Sequence, residues 1–148
     1  MNAAHIHLIV NHVPVIGIVV ALFPLAAGYV RRSDETIRVS LALLVLLGLS
    51  AVVAYLTGDP AEDVVKKLPD FSKELVDAHD DAAGFALGAM IAVGTGALAA
   101  LIAFRRSVLP RWVAVAALAG TLFAASILAR TAWLGGQIRH TEIRSNAS

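Results

Sequence analysis

The residues of this chain best suited to chemistry are its five histidines, His5, His7, His12, His79 and His140, with Asp59, Glu62, Asp80 and Glu142 beside them. A neutral imidazole ligates haem iron, copper, zinc or non-haem iron, and carboxylates widen the donor set for the bare ions. Local spacing makes no site by itself. His5 and His7 are two apart and do not face one way on a helix, whereas His5 and His12, seven apart, share a face. A shared site therefore has to be gathered from separate segments. The chain carries no nucleotide loop, nucleophile elbow or zinc-protease spacing. With no cysteine, it has no disulfide, no thiolate ligand and no Cys-x-x-Cys-His haem attachment.

The elements that must position these residues are apolar helices. The 148 residues are 58% apolar with a net charge of +1, well above the roughly 45–50% apolar content of soluble domains. Four apolar stretches each approach the ~20 residues that span a bilayer. The expected fold is all-α: a four-helix transmembrane bundle, a single domain over 1–148, with spans at about 5–30, 37–57, 79–104 and 112–136. The first span has no basic n-region ahead of it and is expected to be retained. The lipid bilayer is the expected partner, and nucleic acid is not expected. A homo-oligomer or a larger membrane complex is compatible with such a bundle.

Charge gives an expected orientation. Arg31, Arg32 and Arg38 lie between the first two spans, and Arg105, Arg106 and Arg111 between the last two. The positive-inside rule makes that side cytoplasmic, which predicts an N-out, C-out protein of the bacterial inner membrane with its histidines at the periplasmic face. The outer loop between spans 2 and 3 is expected to be helical over Ala61–Leu68. Gly58 and Pro60 are expected to end span 2, and Asp70 or Ser72 to cap the next helix. Phe71, Leu75, His79, Ala82 and Ala86 recur at helical steps, which turns His79 inward.

At about 1.5 Å per residue, His5, His7, His79 and His140 reach one layer roughly 36–43 Å above the cytoplasmic arginines, if the helices are unbroken. His12 and Arg130 lie deeper, at about 28 Å. Asn11-His12-Val13-Pro14 reads either as a helix start capped by Asn11 or as a polar group inside an apolar run. Arg130 either snorkels beside Trp133 or pairs with Asp59, Glu62 or a cofactor carboxylate. Gly84-x-x-x-Gly88 is expected to bring helix 3 close to a neighbour, or to make room for a flat cofactor.

Three functional readings follow. In the first, His7 or His12 with His79 or His140 holds b-type haem, Arg130 and Arg139 face its propionates, and single electrons pass to a quinone or a periplasmic redox partner. In the second, the five histidines with Asp59, Glu62, Asp80 and Glu142 bind a copper, zinc or iron ion. In the third, the histidines are interfacial and the chain is a non-catalytic accessory subunit.

Four runs carry a resemblance: His5-Ile6-His7-Leu8-Ile9-Val10-Asn11-His12-Val13-Pro14-Val15-Ile16-Gly17, Thr57-Gly58-Asp59-Pro60-Ala61-Glu62, Ala78-His79-Asp80 and Gly135-Gly136-Gln137-Ile138-Arg139-His140-Thr141-Glu142. Over nearly its full length the chain resembles the uncharacterised domain-of-unknown-function group 2231 of small bacterial membrane proteins. That resemblance implies four helices and a site near these histidines, and no particular activity. The family pattern leads one to expect His-Glu where this chain has His79-Asp80. A looser similarity of plan is to four-helix di-haem membrane cytochromes b. Those carry histidines toward both membrane faces, and here the arginine side has none.

Overall fold

A computed structural model describes residues 1–144 of the chain, so the expected domain of 1–148 extends past the described residues. Five α-helices follow in order: α1 (Ala3–Arg31), α2 (Asp34–Leu56), α3 (Gly58–Val65), α4 (Lys73–Ala103) and α5 (Arg111–Arg139), then a single 3-10 turn at Thr141–Ile143. No strand occurs among the described residues. α1, α2, α4 and α5 are long and apolar enough to cross a membrane. Their outward faces fit lipid and not water: Phe23 is 71% exposed, Leu46 62%, Phe85 74% and Phe123 64%.

Short polar residues set the helix starts. Asn2, Ser33 and Ser72 each accept a hydrogen bond from a backbone N–H three residues on, at His5, Thr36 and Leu75. α1 runs unbroken through Pro14 and Pro24, so Asn2 is its cap and Asn11 is not. α5 likewise continues through Gly135 and Gly136. The junction of α2 with α3 differs from expectation. α2 stops at Leu56, but Gly58 opens α3 and Pro60 sits in the first turn of α3. Backbone N–H groups there have no intrahelical acceptor, so a proline is tolerated.

α1 packs on α2, α2 on α4, α4 on α5 and α5 on α1, which leaves α1 and α4 diagonal across the bundle. The largest fully buried side chains are Ile18, Leu25, Leu41, Leu44 and Met90, in the middle of the bundle and toward its arginine end. Toward the histidine end the buried residues include Ala51, Ala54, Ala61, Val76, Ala82, Ala86, Leu128, Thr131 and Gln137.

Close helix approach in lipid depends on small residues, because the solvent supplies no hydrophobic drive between helices. Here Gly48 on α2 and Gly94 on α4 make that contact. A Cβ on Gly48 would stand 3.1 Å from the Met90 carbonyl oxygen and 3.3 Å from Gly94 Cα. The expectation placed on Gly84 and Gly88 is corrected: both are exposed, and a Cβ on either would meet nothing within 4 Å.

At the arginine end one ion pair fastens α2 to the α4–α5 connection. Asp34 accepts from Arg38 Nε at 2.6 Å and from the Leu109 backbone N–H at 2.7 Å. Arg38 also donates to the carbonyls of Phe104 and Ser107, at 3.0 and 2.7 Å. These bonds hold the turn that follows α4, in which the Ser107 N–H also donates to the Phe104 carbonyl at 3.1 Å.

Gly48→Ala is expected to lower stability by about 1–3 kcal/mol, since backbone and not a flexible side chain must move. Gly84→Ala and Gly88→Ala are expected to be neutral or stabilising by up to about 1 kcal/mol through helix propensity. Thermal unfolding of the detergent-purified protein reads both effects.

Candidate functional site

Two of the five histidines come together. His7, in the second turn of α1, and His79, two turns into α4, face each other across the bundle diagonal, with ring centroids 6.5 Å apart and planes at 90°. Both are half-buried. His79 points inward, along the apolar face formed with the buried Ala82 and Ala86.

Each ring is held through Nδ1. His79 Nδ1 lies 3.0 Å from the backbone oxygen of Thr131 on α5. A carbonyl only accepts, so this nitrogen carries the proton. His7 Nδ1 lies 3.0 Å from Thr57 Oγ1. The Thr57 hydroxyl already donates to the Ala54 carbonyl at 2.7 Å, which leaves its oxygen to accept from His7 Nδ1–H. In the neutral form both rings therefore keep Nε2 as an unprotonated donor atom. Metal-binding imidazoles are held in this way, with the second ring nitrogen donating to an oxygen that fixes tautomer and orientation.

Gly135 makes the His79 contact possible. It sits one turn beyond Thr131 on α5, and a Cβ there would stand 3.0 Å from His79 Cε1 and 3.2 Å from Nδ1. A side chain there would press on the ring and shift it by a few tenths of an ångström against its bond to the Thr131 carbonyl. Thr57, Thr131 and Gly135 are thus the site residues that sequence reasoning missed. Thr57 and Gly135 stand in the motif runs of the sequence without a signal for holding an imidazole. Thr131 contributes a main-chain oxygen that every residue carries.

The other candidates lie elsewhere. His12 is exposed, and its Nδ1 bonds the Leu8 carbonyl one turn back on its own helix. Five residues beyond His7, it is turned about 140° round α1. His5 is exposed and contributes only its backbone N–H to the Asn2 cap. His140 ends α5 and bonds Glu142 at 2.8 Å, with side chains 63% and 69% exposed. The Glu142 carboxyl is held below its usual range, first by its own backbone N–H and then by His140. Glu62 pairs with Lys66 at 2.9 Å. Asp59 and Asp80 are exposed, and Asp80 is within electrostatic reach of Glu62, His79 and Asp59. Arg139 is exposed at the end of α5. Arg130 makes no ion pair with Asp59, Glu62 or any other described residue; it lines an outward cleft between α4 and α5. Among the described residues no three His, Asp or Glu side chains gather into a set able to hold a metal ion.

Comparison with known proteins assigns no family: no protein-family model, no curated protein and no solved structure matches the chain.

Thr57→Val removes the acceptor for His7 while keeping the side chain's shape. ¹⁵N spectra are expected to show the Nδ1–H tautomer for His7 and His79 in the native protein, and mixed tautomers for His7 alone in the variant. Gly135→Ala is expected to perturb His79 instead.

Proposed function

We propose that this chain is a membrane protein that holds b-type haem between His7 and His79 and passes single electrons. The observation that carries the reading is the diagonal pair of imidazoles, 6.5 Å apart, each with Nδ1 anchored and Nε2 free. His7 and His79 would be the two residues that hold the iron, one from each of the diagonal helices. A bare ion asks the protein for three or four ligands, whereas haem iron asks for one or two. A site of two imidazoles without a third protein donor therefore suits haem better than a bare ion. Ala51, Ala54 and Ala82 are among the buried residues toward this end, and their small side chains limit crowding around the pair.

When bound, haem supplies a reversible one-electron iron couple. His7 and His79 would hold it, with Thr57 and the Thr131 carbonyl fixing the orientation of the two rings. The surrounding helices half-bury both rings and so limit the approach of water. A second reading, a copper, zinc or iron ion, has less support, because the described residues bring no third donor, carboxylate or imidazole, to the pair.

We further infer an N-out, C-out topology in a bacterial inner membrane, supported by Arg31, Arg32, Arg38, Arg105, Arg106 and Arg111 in and beside the two short connections at the opposite end from this pair. That orientation would give the site a quinone in the membrane or a periplasmic redox protein as its electron partner. Membership of the domain-of-unknown-function group 2231 is likewise proposed, on the Asn11–Pro14 and Gly135–His140 motifs.

An absorption spectrum of protein expressed with ample haem and purified in detergent tests the reading. The expected result is a Soret band with sharp α and β bands on dithionite reduction. His7→Ala and His79→Ala are each expected to abolish it, Thr57→Val to weaken cofactor affinity about 10–100-fold, and His12→Ala and His140→Ala to leave it unchanged. A colourless protein carrying stoichiometric metal would favour the second reading, and a colourless, metal-free protein the accessory-subunit reading.

A further inference from the structure

Arg130 stands apart from the histidine pair. Together with Ala82, Phe85, Phe123, Ser126 and Ile127 it lines an open cleft of about 400 Å³ between α4 and α5. Phe85 and Phe123 are 74% and 64% exposed, so the cleft opens on the outer face of the bundle. Arg130 is exposed and, among the described residues, has neither an ion-pair partner nor a hydrogen-bond acceptor. The nearby Ser126 hydroxyl is spent on the Phe123 carbonyl, at 2.7 Å. The result is a permanent cation in an apolar, lipid-open cleft with no counter-charge among the described residues.

Depth says what can neutralise it. Nineteen residues of unbroken helix separate Arg130 from Arg111 at the other end of α5. At about 1.5 Å each they rise roughly 28 Å, close to the ~30 Å thickness of the hydrocarbon layer. A long side chain from that height reaches the phosphate layer of the leaflet at the histidine end. A cation left unpaired in that position is costly, and a phosphate matches a guanidinium in both charge and geometry.

We propose that the α4–α5 cleft is a binding site for one anionic phospholipid. Its phosphate is held by Arg130, and an acyl chain lies along Phe85 and Phe123. Charge complementarity selects this occupant over a neutral quinone, which would leave the guanidinium uncompensated. The proposal goes beyond the haem reading and does not depend on it.

Native mass spectrometry of the full chain, released from detergent with defined additives, tests it. The probes are phosphatidylglycerol, phosphatidylcholine, inorganic phosphate and a short-chain quinone. One phosphatidylglycerol is expected to be retained per chain, at least tenfold more tightly than phosphatidylcholine. Arg130→Gln is expected to abolish that preference, Arg130→Lys to restore part of it, and Arg139→Ala to leave it intact. Phe85→Ala is expected to weaken retention of both lipids. Equal retention of the two lipids, or an unchanged preference in Arg130→Gln, would overturn the proposal and leave Arg130 as an interfacial anchor. Displacement of the lipid by inorganic phosphate alone would also overturn it, by making free phosphate the ligand. Displacement by the quinone would overturn it in favour of a quinone cleft.

Discussion

A polar ring inside an apolar bundle has to find its hydrogen-bond partner within the protein, because lipid offers none. That constraint organises the histidine end of this molecule. His7 and His79 enter the interior from diagonal helices, and the oxygens that receive their Nδ1 protons come from two further helical segments: Thr57 at the end of α2 and the Thr131 carbonyl of α5. Four segments are thereby tied at one level. His12 meets the same requirement by bonding back onto its own helix, and so it stays outside the site.

The cross-bundle bonds need an unusual interior. The largest fully buried side chains, Ile18, Leu25, Leu41, Leu44 and Met90, lie in the middle of the bundle and toward its arginine end, and none of them is beside the imidazoles. Gly135 extends the same logic to a single atom, since a methyl group there would collide with the His79 ring. Tight packing at Gly48 and Gly94 holds α2 and α4 in register below the site, and the Asp34–Arg38 cluster fastens the far end. Rigid spans fixed at two levels are what allow two imidazoles to be presented in a fixed mutual geometry.

Much of this was legible from residue types and spacing. The four apolar runs and the inward face of His79 follow from periodicity alone. The matching height of His7 and His79 could be read because α1 runs unbroken through its prolines and α4 through its glycines. Which histidines pair was not legible. Heights along a helix ignore rotation about it, and rotation separates His7 from His12. The partners were hidden for a different reason. Thr131 acts through its backbone, and Gly135 acts by lacking a side chain, so neither carries a chemical signature. Gly84 and Gly88 mislead in the same way, because a small-residue spacing marks a face without saying whether a helix lies against it.

The perpendicular ring planes of His7 and His79 offer the most direct test of the central claim, that these two imidazoles act together on one iron. Electron paramagnetic resonance of the oxidised protein reports axial ligand orientation. The expected result is a low-spin ferric signal of the strongly anisotropic kind that crossed imidazole planes produce, lost when either His7 or His79 is replaced. A high-spin signal, a rhombic signal typical of parallel planes, or no haem signal at all after haem-replete expression would contradict it.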